Sequence, residues 1–129
     1  MSATGLLKPL RFARFWLALW WMAIAATIVV CLVRLPPMAL PDNSDKVEHF
    51  LAYFVLAGSA VQIYRTRAAL AWAGVGLVGL GIGIEFAQGA LTATRMADPM
   101  DVLANSIGVV AGMSLAFTPL RDLLVRLRG

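Results

Sequence analysis

Hydrophobic and polar positions fall in blocks along this chain instead of alternating one by one. Four apolar blocks stand out, at residues 15–33 (FWLALWWMAIAATIVVCLV), 47–64, 68–92 and about 101–120. Runs of this length lack the two-residue period of a half-buried strand. At about 1.5 Å of rise per residue, a helix needs ~20 residues to cross hydrocarbon, a length that the second and fourth blocks reach only narrowly. Helices are required there because hydrocarbon offers free backbone groups no partner. The pattern predicts an all-α polytopic membrane protein, a bundle of four transmembrane helices forming a single domain over residues 1–129. The first block is longer than the ~7–15 apolar residues of a signal peptide and lacks a small-residue cleavage site, so it is read as a span.

Composition supports lipid as the solvent. Of the 129 residues 60% are hydrophobic and 14% charged, and the mean hydropathy is +0.80. A soluble domain of this size could not bury so much apolar surface. One cysteine, Cys31 in the first block, excludes a disulfide framework.

The formal charge of +4 is unevenly spread. Lys8, Arg11, Arg14, Arg65, Arg67, Arg121, Arg126 and Arg128 would share one face of a four-span bundle, leaving Arg34, Lys46 and Arg95 for the other. Basic residues favour cytoplasmic ends, so the expectation is a multi-pass protein of the cell inner (cytoplasmic) membrane with both termini inside. Six of the seven acids, Asp42, Asp45, Glu48, Glu85, Asp98 and Asp101, then fall outside. No nucleic-acid motif accompanies the arginines, and no nucleic-acid partner is expected.

This topology brings separated polar residues to one depth, the outer leaflet. At ~100° per residue, Asp45, Lys46, His49 and Tyr53 share an arc of the second span. Glu85, Gln88, Gly89 and Thr92 share a face of the third with Gly74 and Gly81. Asp101, Asn105, Gly108 and Gly112 form one narrow stripe on the fourth. Polar groups aligned with small residues mark faces turned toward other helices.

Simpler roles compete for several of these residues. Asp45 with Glu48 fits a helix start, and Asp98 before Pro99 fits an N-cap with proline in the first turn. His49 is not needed by a cap. Glu85 lies below the end of its span, where an unpaired carboxylate costs on the order of 2–3 kcal/mol or more, so it needs a proton, water or a cationic partner. Gln88 and Asn105 suit interhelical hydrogen bonds, and Tyr53 an interfacial aromatic. The match of GVGLVG (74–79) to a dinucleotide fingerprint is rejected, because no strand precedes it. Gly79/Gly83 and Gly108/Gly112 have close-packing spacing. Gly76, Gly79 and Gly83 face away from Glu85, which opens a second packing side and a homo-oligomer. Phe15, Trp16, Trp20 and Trp21 read as a lipid-facing or interfacial anchor.

The segments DKVEHFLAYFVLAG (45–58), GIGIEFAQ (81–88) and RMADPMDVLANSIGVVAG (95–112) resemble the VanZ-like membrane protein family. That family's pattern runs D-K-x-x-H-x-x-x-Y, then I-E-x-x-Q, then R-x-x-D-x-x-D-x-x-x-N-x-x-G. The likeness covers a motif core of about 45–112. It implies a common site at Asp45, Lys46, His49, Tyr53, Glu85, Gln88, Arg95, Asp98, Asp101 and Asn105, with Gly108 beside it. The family's founding member is associated with low-level teicoplanin resistance, so the resemblance implies a link to glycopeptide resistance. No acyl-phosphate or coenzyme A motif accompanies it.

The expected function is an outer-leaflet polar pocket binding a cell-envelope component, such as a lipid-linked or peptidoglycan-related head group or a glycopeptide-related ligand. A rival is a membrane-embedded enzyme with His49, Glu85 and Asp101 as candidate catalytic groups. No nucleophile stands out, which leans the reading away from catalysis. A divalent-metal variant of that enzyme would use His49 with the nearby carboxylates, but the spacing matches no metal motif, so neither a metal nor another cofactor is expected. A small transporter would want an acid near the midplane, and the first span has none. An assembly module is the remaining alternative.

Overall fold

The computed structural model describes residues 7–32, 44–91 and 99–127. Four long helices follow one another: α1 (Ala13–Leu32), α2 (Ser44–Ile63), α3 (Arg67–Leu91) and α4 (Pro99–Met113). Two 3₁₀ turns, Ser114–Phe117 and Pro119–Asp122, lead into the single turn of α5 (Leu123–Arg126). The described residues contain no strand beyond an isolated bridge between Leu7 and Tyr64. Three segments are long and apolar enough to cross a membrane: Ala13–Val30, Arg67–Ala87 and Pro99–Phe117. Among the described side chains of α2, the apolar stretch Val47–Ile63 is shorter. Trp72, Phe86, Val110 and Phe117 point outward, a surface suited to lipid and costly in water.

Local chemistry sets the helix boundaries. Thr66 caps α3, its hydroxyl accepting the Ala69 N–H at 3.0 Å, which satisfies one of the free donors of the first turn. The fourth apolar block was expected to run as one helix to about residue 120, but the α-helix closes at Met113 and tightens to 3₁₀. Thr118 is extended, with φ −121° and ψ 162°, as the residue before a proline must be to avoid the ring of Pro119.

The closest helix pair is α2 with α4. A Cβ built on Gly108 would lie 2.5 Å from the Phe50 carbonyl oxygen, and one on Gly112 would lie 2.6 Å from that of Phe54. Only a hydrogen atom fits at such distances, so this glycine pair brings two backbones together as its spacing predicts. By contrast, nothing lies within 4 Å of a Cβ on Gly76, Gly79 or Gly83. Among the described residues, their expected close packing does not occur.

α1 joins through Trp20, which the expectation of a lipid-facing anchor misplaced. Trp20 is buried, its indole N–H donates to the Leu56 carbonyl at 2.9 Å, and its ring meets Tyr64 edge-on at 5.3 Å. In an apolar setting the indole N–H needs an acceptor, and the helix backbone supplies one. Phe15 and Trp21 do face outward, and Trp16 is partly buried.

Both ends of the described chain meet at the C-terminus of α2. The Lys8 N–H caps the Ile63 carbonyl at 2.8 Å, filling an acceptor that every helix end leaves open. The Lys8 ammonium pairs with Asp122 at 2.9 Å and also donates to the Arg121 carbonyl. Gln62 donates to Leu120 O at 2.7 Å and accepts the Leu124 N–H at 2.9 Å, which ties the tail to α2.

Two predictions follow from these contacts. Gly108→Leu and Gly112→Leu will each lower the melting temperature in detergent, at a cost on the order of 1–3 kcal/mol or more from forced separation of α2 and α4. Gly79→Ala and Gly83→Ala will leave it unchanged or raised, since both sites are open and alanine favours helix. The second prediction concerns acid. The hydrogen bond from Lys8 holds the Asp122 carboxyl below its ordinary value, aided by the charges of Lys8 and Arg121 and opposed by slight burial. A depressed folded-state pKa stabilises above the unfolded value and is lost as pH falls through the folded one. Wild type will therefore lose part of its stability on acidification below the usual carboxylate range. Asp122→Asn will lack that component, worth at most about 1 kcal/mol for so exposed a pair.

Candidate functional site

At the end of the bundle remote from the Lys8–Asp122 pair, polar side chains from three helices meet. α2 contributes His49 and Tyr53, α3 contributes Glu85, and α4 contributes Asp101 and Asn105. The positions 101, 105, 108 and 112 recur at helical spacing, so the glycine contact that docks α4 on α2 also directs Asp101 and Asn105 toward it. Tyr53, Glu85, Asp101 and Asn105 are all buried, Asn105 at 2% exposure. His49 is partly open, with 14% of its side chain accessible.

Asn105 organises the cluster. Its Oδ1 lies 3.0 Å from His49 Nδ1, and an amide oxygen only accepts, so the imidazole proton on that side belongs to Nδ1. The other ring nitrogen, Nε2, faces Asp101 Oδ2 at 3.9 Å, beyond hydrogen-bond range. Gly81 of α3 makes room for the amide. A Cβ there would meet Asn105 Nδ2 at 2.8 Å and the Tyr53 ring at 3.3 Å. Glu85 stands one helical turn further along the same face. One ligand-type atom from each of His49, Glu85 and Asp101 can be chosen so that all lie within 4.8 Å of one another.

Of the ten predicted site residues, the structure thus gathers His49, Tyr53, Glu85, Asp101 and Asn105. Asp45 and Lys46 lie in the first turn of α2, and Gln88 lies on α3 beyond Glu85; their side chains are outside the described set. Arg95 and Asp98 lie outside the described residues altogether. Glu48 is exposed, consistent with a role in starting the helix. Sequence reasoning missed the anchoring role of Gln62, although a lone amide within an apolar block was the available signal.

A second concave region lies at the opposite end, a cavity of about 950 Å³ lined by Lys8, Arg65, Arg67 and Arg121 together with Met113 and Phe117. It contains none of the predicted site residues. Its basic lining separates it chemically from the acid- and imidazole-lined cluster.

No family model, curated protein or solved structure matches this chain. The VanZ-like resemblance accordingly rests on the three motifs alone.

His49 is the sole histidine, so its state can be read directly. ¹⁵N NMR of histidine-labelled protein will show the Nδ1–H tautomer when the ring is neutral. Asn105→Ala will remove that preference and cost on the order of 1–3 kcal/mol of stability, because a buried donor loses its acceptor.

Proposed function

We propose that this protein is a VanZ-like, four-span protein of the inner membrane, with both termini cytoplasmic, that binds the polar head group of a cell-envelope component. The supporting observation is the buried convergence of His49, Tyr53, Glu85, Asp101 and Asn105 from three helices. Placing ionisable groups at membrane depth is costly, and such groups generally mark a functional site. The positive residues near both termini support the orientation by the positive-inside tendency. With that orientation the cluster opens to the outer leaflet, where lipid-linked envelope intermediates expose sugars, amines and phosphates. Acids and amides suit hydroxyls and amines, and the imidazole adds an adaptable donor or acceptor. The link to glycopeptide resistance follows from the resemblance and belongs to this proposal.

An enzymatic reading draws on one particular feature, a histidine nitrogen flanked by two carboxylates, which is a setting for moving protons. Native mass spectrometry of the detergent-purified protein incubated with bacterial envelope lipid extract separates the two. The expected outcome is saturable capture of an extract component without a change in its mass. His49→Ala and Glu85→Gln should reduce that capture at least tenfold while both variants remain expressed and folded, His49→Ala with the lower melting temperature expected when buried Asn105 loses its partner. Unchanged capture in both variants would remove the cluster from the binding site, whereas turnover of the captured lipid would favour catalysis.

A further inference from the structure

We propose that His49, Glu85 and Asp101 form a binding site for a divalent first-row cation of the Zn²⁺ or Mn²⁺ class, through which the head group of the preceding section is held. The inference rests on that reading for its ligand and on geometry for the metal.

Three features of the cluster suit a cation. One atom from each residue lies within 4.8 Å of the other two, and the donors, one nitrogen and two oxygens, are those that borderline divalent ions accept. Ligand bonds of ~2.0–2.2 Å set donor-to-donor edges of about 3–3.5 Å. The present donors lie within 4.8 Å of one another, so the set would contract on binding such an ion. Second, the Asn105 amide engages Nδ1 at 3.0 Å and directs the lone pair of Nε2 toward the acids. Metal-binding histidines are generally oriented this way, with the outer ring N–H held by a fixed acceptor. Third, the 3.9 Å between Nε2 and Asp101 Oδ2 is too wide for a hydrogen bond and of the order that an ion between two ligands requires.

No metal motif is legible in the sequence because such motifs list ligands at short spacing on one element. Here each donor comes from a different helix, at positions 49, 85 and 101. Burial matters too: two of the three residues, Glu85 and Asp101, are almost inaccessible, while His49 keeps a route to the outside.

A dication held by the two carboxylates would offer open coordination positions to an anionic oxygen of the proposed head group. Three protein ligands leave at least one such position. The head group would then bind by its phosphate or hydroxyl oxygens to the ion, with Tyr53 and Asn105 beside it.

The test uses the full-length protein in detergent, stripped with chelator and dialysed against Zn²⁺ alone. Elemental analysis is expected to find one ion per chain. His49→Ala, Glu85→Gln and Asp101→Asn should each weaken binding at least tenfold, and Asn105→Ala about 10–100-fold as an outer-shell partner. Asp122→Asn, at the other end of the molecule, should bind as wild type does. Titrating ¹⁵N-histidine-labelled wild type gives a readout independent of any variant's folding. Zn²⁺ should shift the Nε2 resonance of His49 and leave Nδ1 protonated. Substoichiometric binding, or an unmoved Nε2 resonance, overturns the metal site. If Zn²⁺ fails to bind while His49→Ala and Glu85→Gln still abolish lipid capture, the metal is wrong and the head-group reading stands. If Zn²⁺ binds as described while lipid capture ignores both substitutions, the metal site stands and the head-group reading falls.

Discussion

The contact on which this architecture depends is the meeting of two backbones at Gly108 and Gly112. With 2.5–2.6 Å between the missing Cβ positions and the carbonyl oxygens of α2, any side chain would push α4 away. Lipid does not drive helices together by the hydrophobic effect, so association must come from close packing and polar contacts. The glycines provide the first, and by removing side chains they bring Asn105 within reach of His49, which provides the second. Packing and polar recognition are therefore one structural event. A change in either propagates to the other.

α3 completes the arrangement in a different way. Its contact with α4 is looser toward the Lys8–Asp122 end, where Gly74 meets Met113 at ordinary van der Waals distance. It tightens at Gly81, where the Asn105 amide occupies the space of the absent side chain. One turn on, Glu85 enters the same enclosure. An amide wedged between three helices has little freedom to reorient, which explains how a cluster with several donors and acceptors adopts a single arrangement. The price of misplacing one member would be a desolvated polar group inside an apolar bundle.

Much of this was legible in the residues. The apolar blocks located the first three long helices and the start of the fourth to within a few residues, and the stripe of Asp101, Asn105, Gly108 and Gly112 identified the face of α4 that turns inward. Glu85 and His49 stood out because ionisable groups in apolar runs demand a reason. Other features were hidden for physical reasons. Trp20 looks like an interfacial anchor by type, and only the nearness of the Leu56 carbonyl draws it inside. Gly79 and Gly83 have the same four-residue spacing as Gly108 and Gly112 but face open space, since spacing specifies a face and not what lies opposite. The break in helical backbone at Thr118, short of the expected residue 120, depends on how Pro119 constrains it, a local effect lost in any average over hydropathy.

The anchoring of Gln62 has a consequence for the order in which the molecule is completed. This side chain lies at the end of the second helix, yet its partners, Leu120 and Leu124, follow it by 58 and 62 residues. Until they emerge, the amide must be satisfied by solvent or lipid head groups. The bundle can insert helix by helix, but the latch that secures the end of α2 closes only after α3 and α4 have been made.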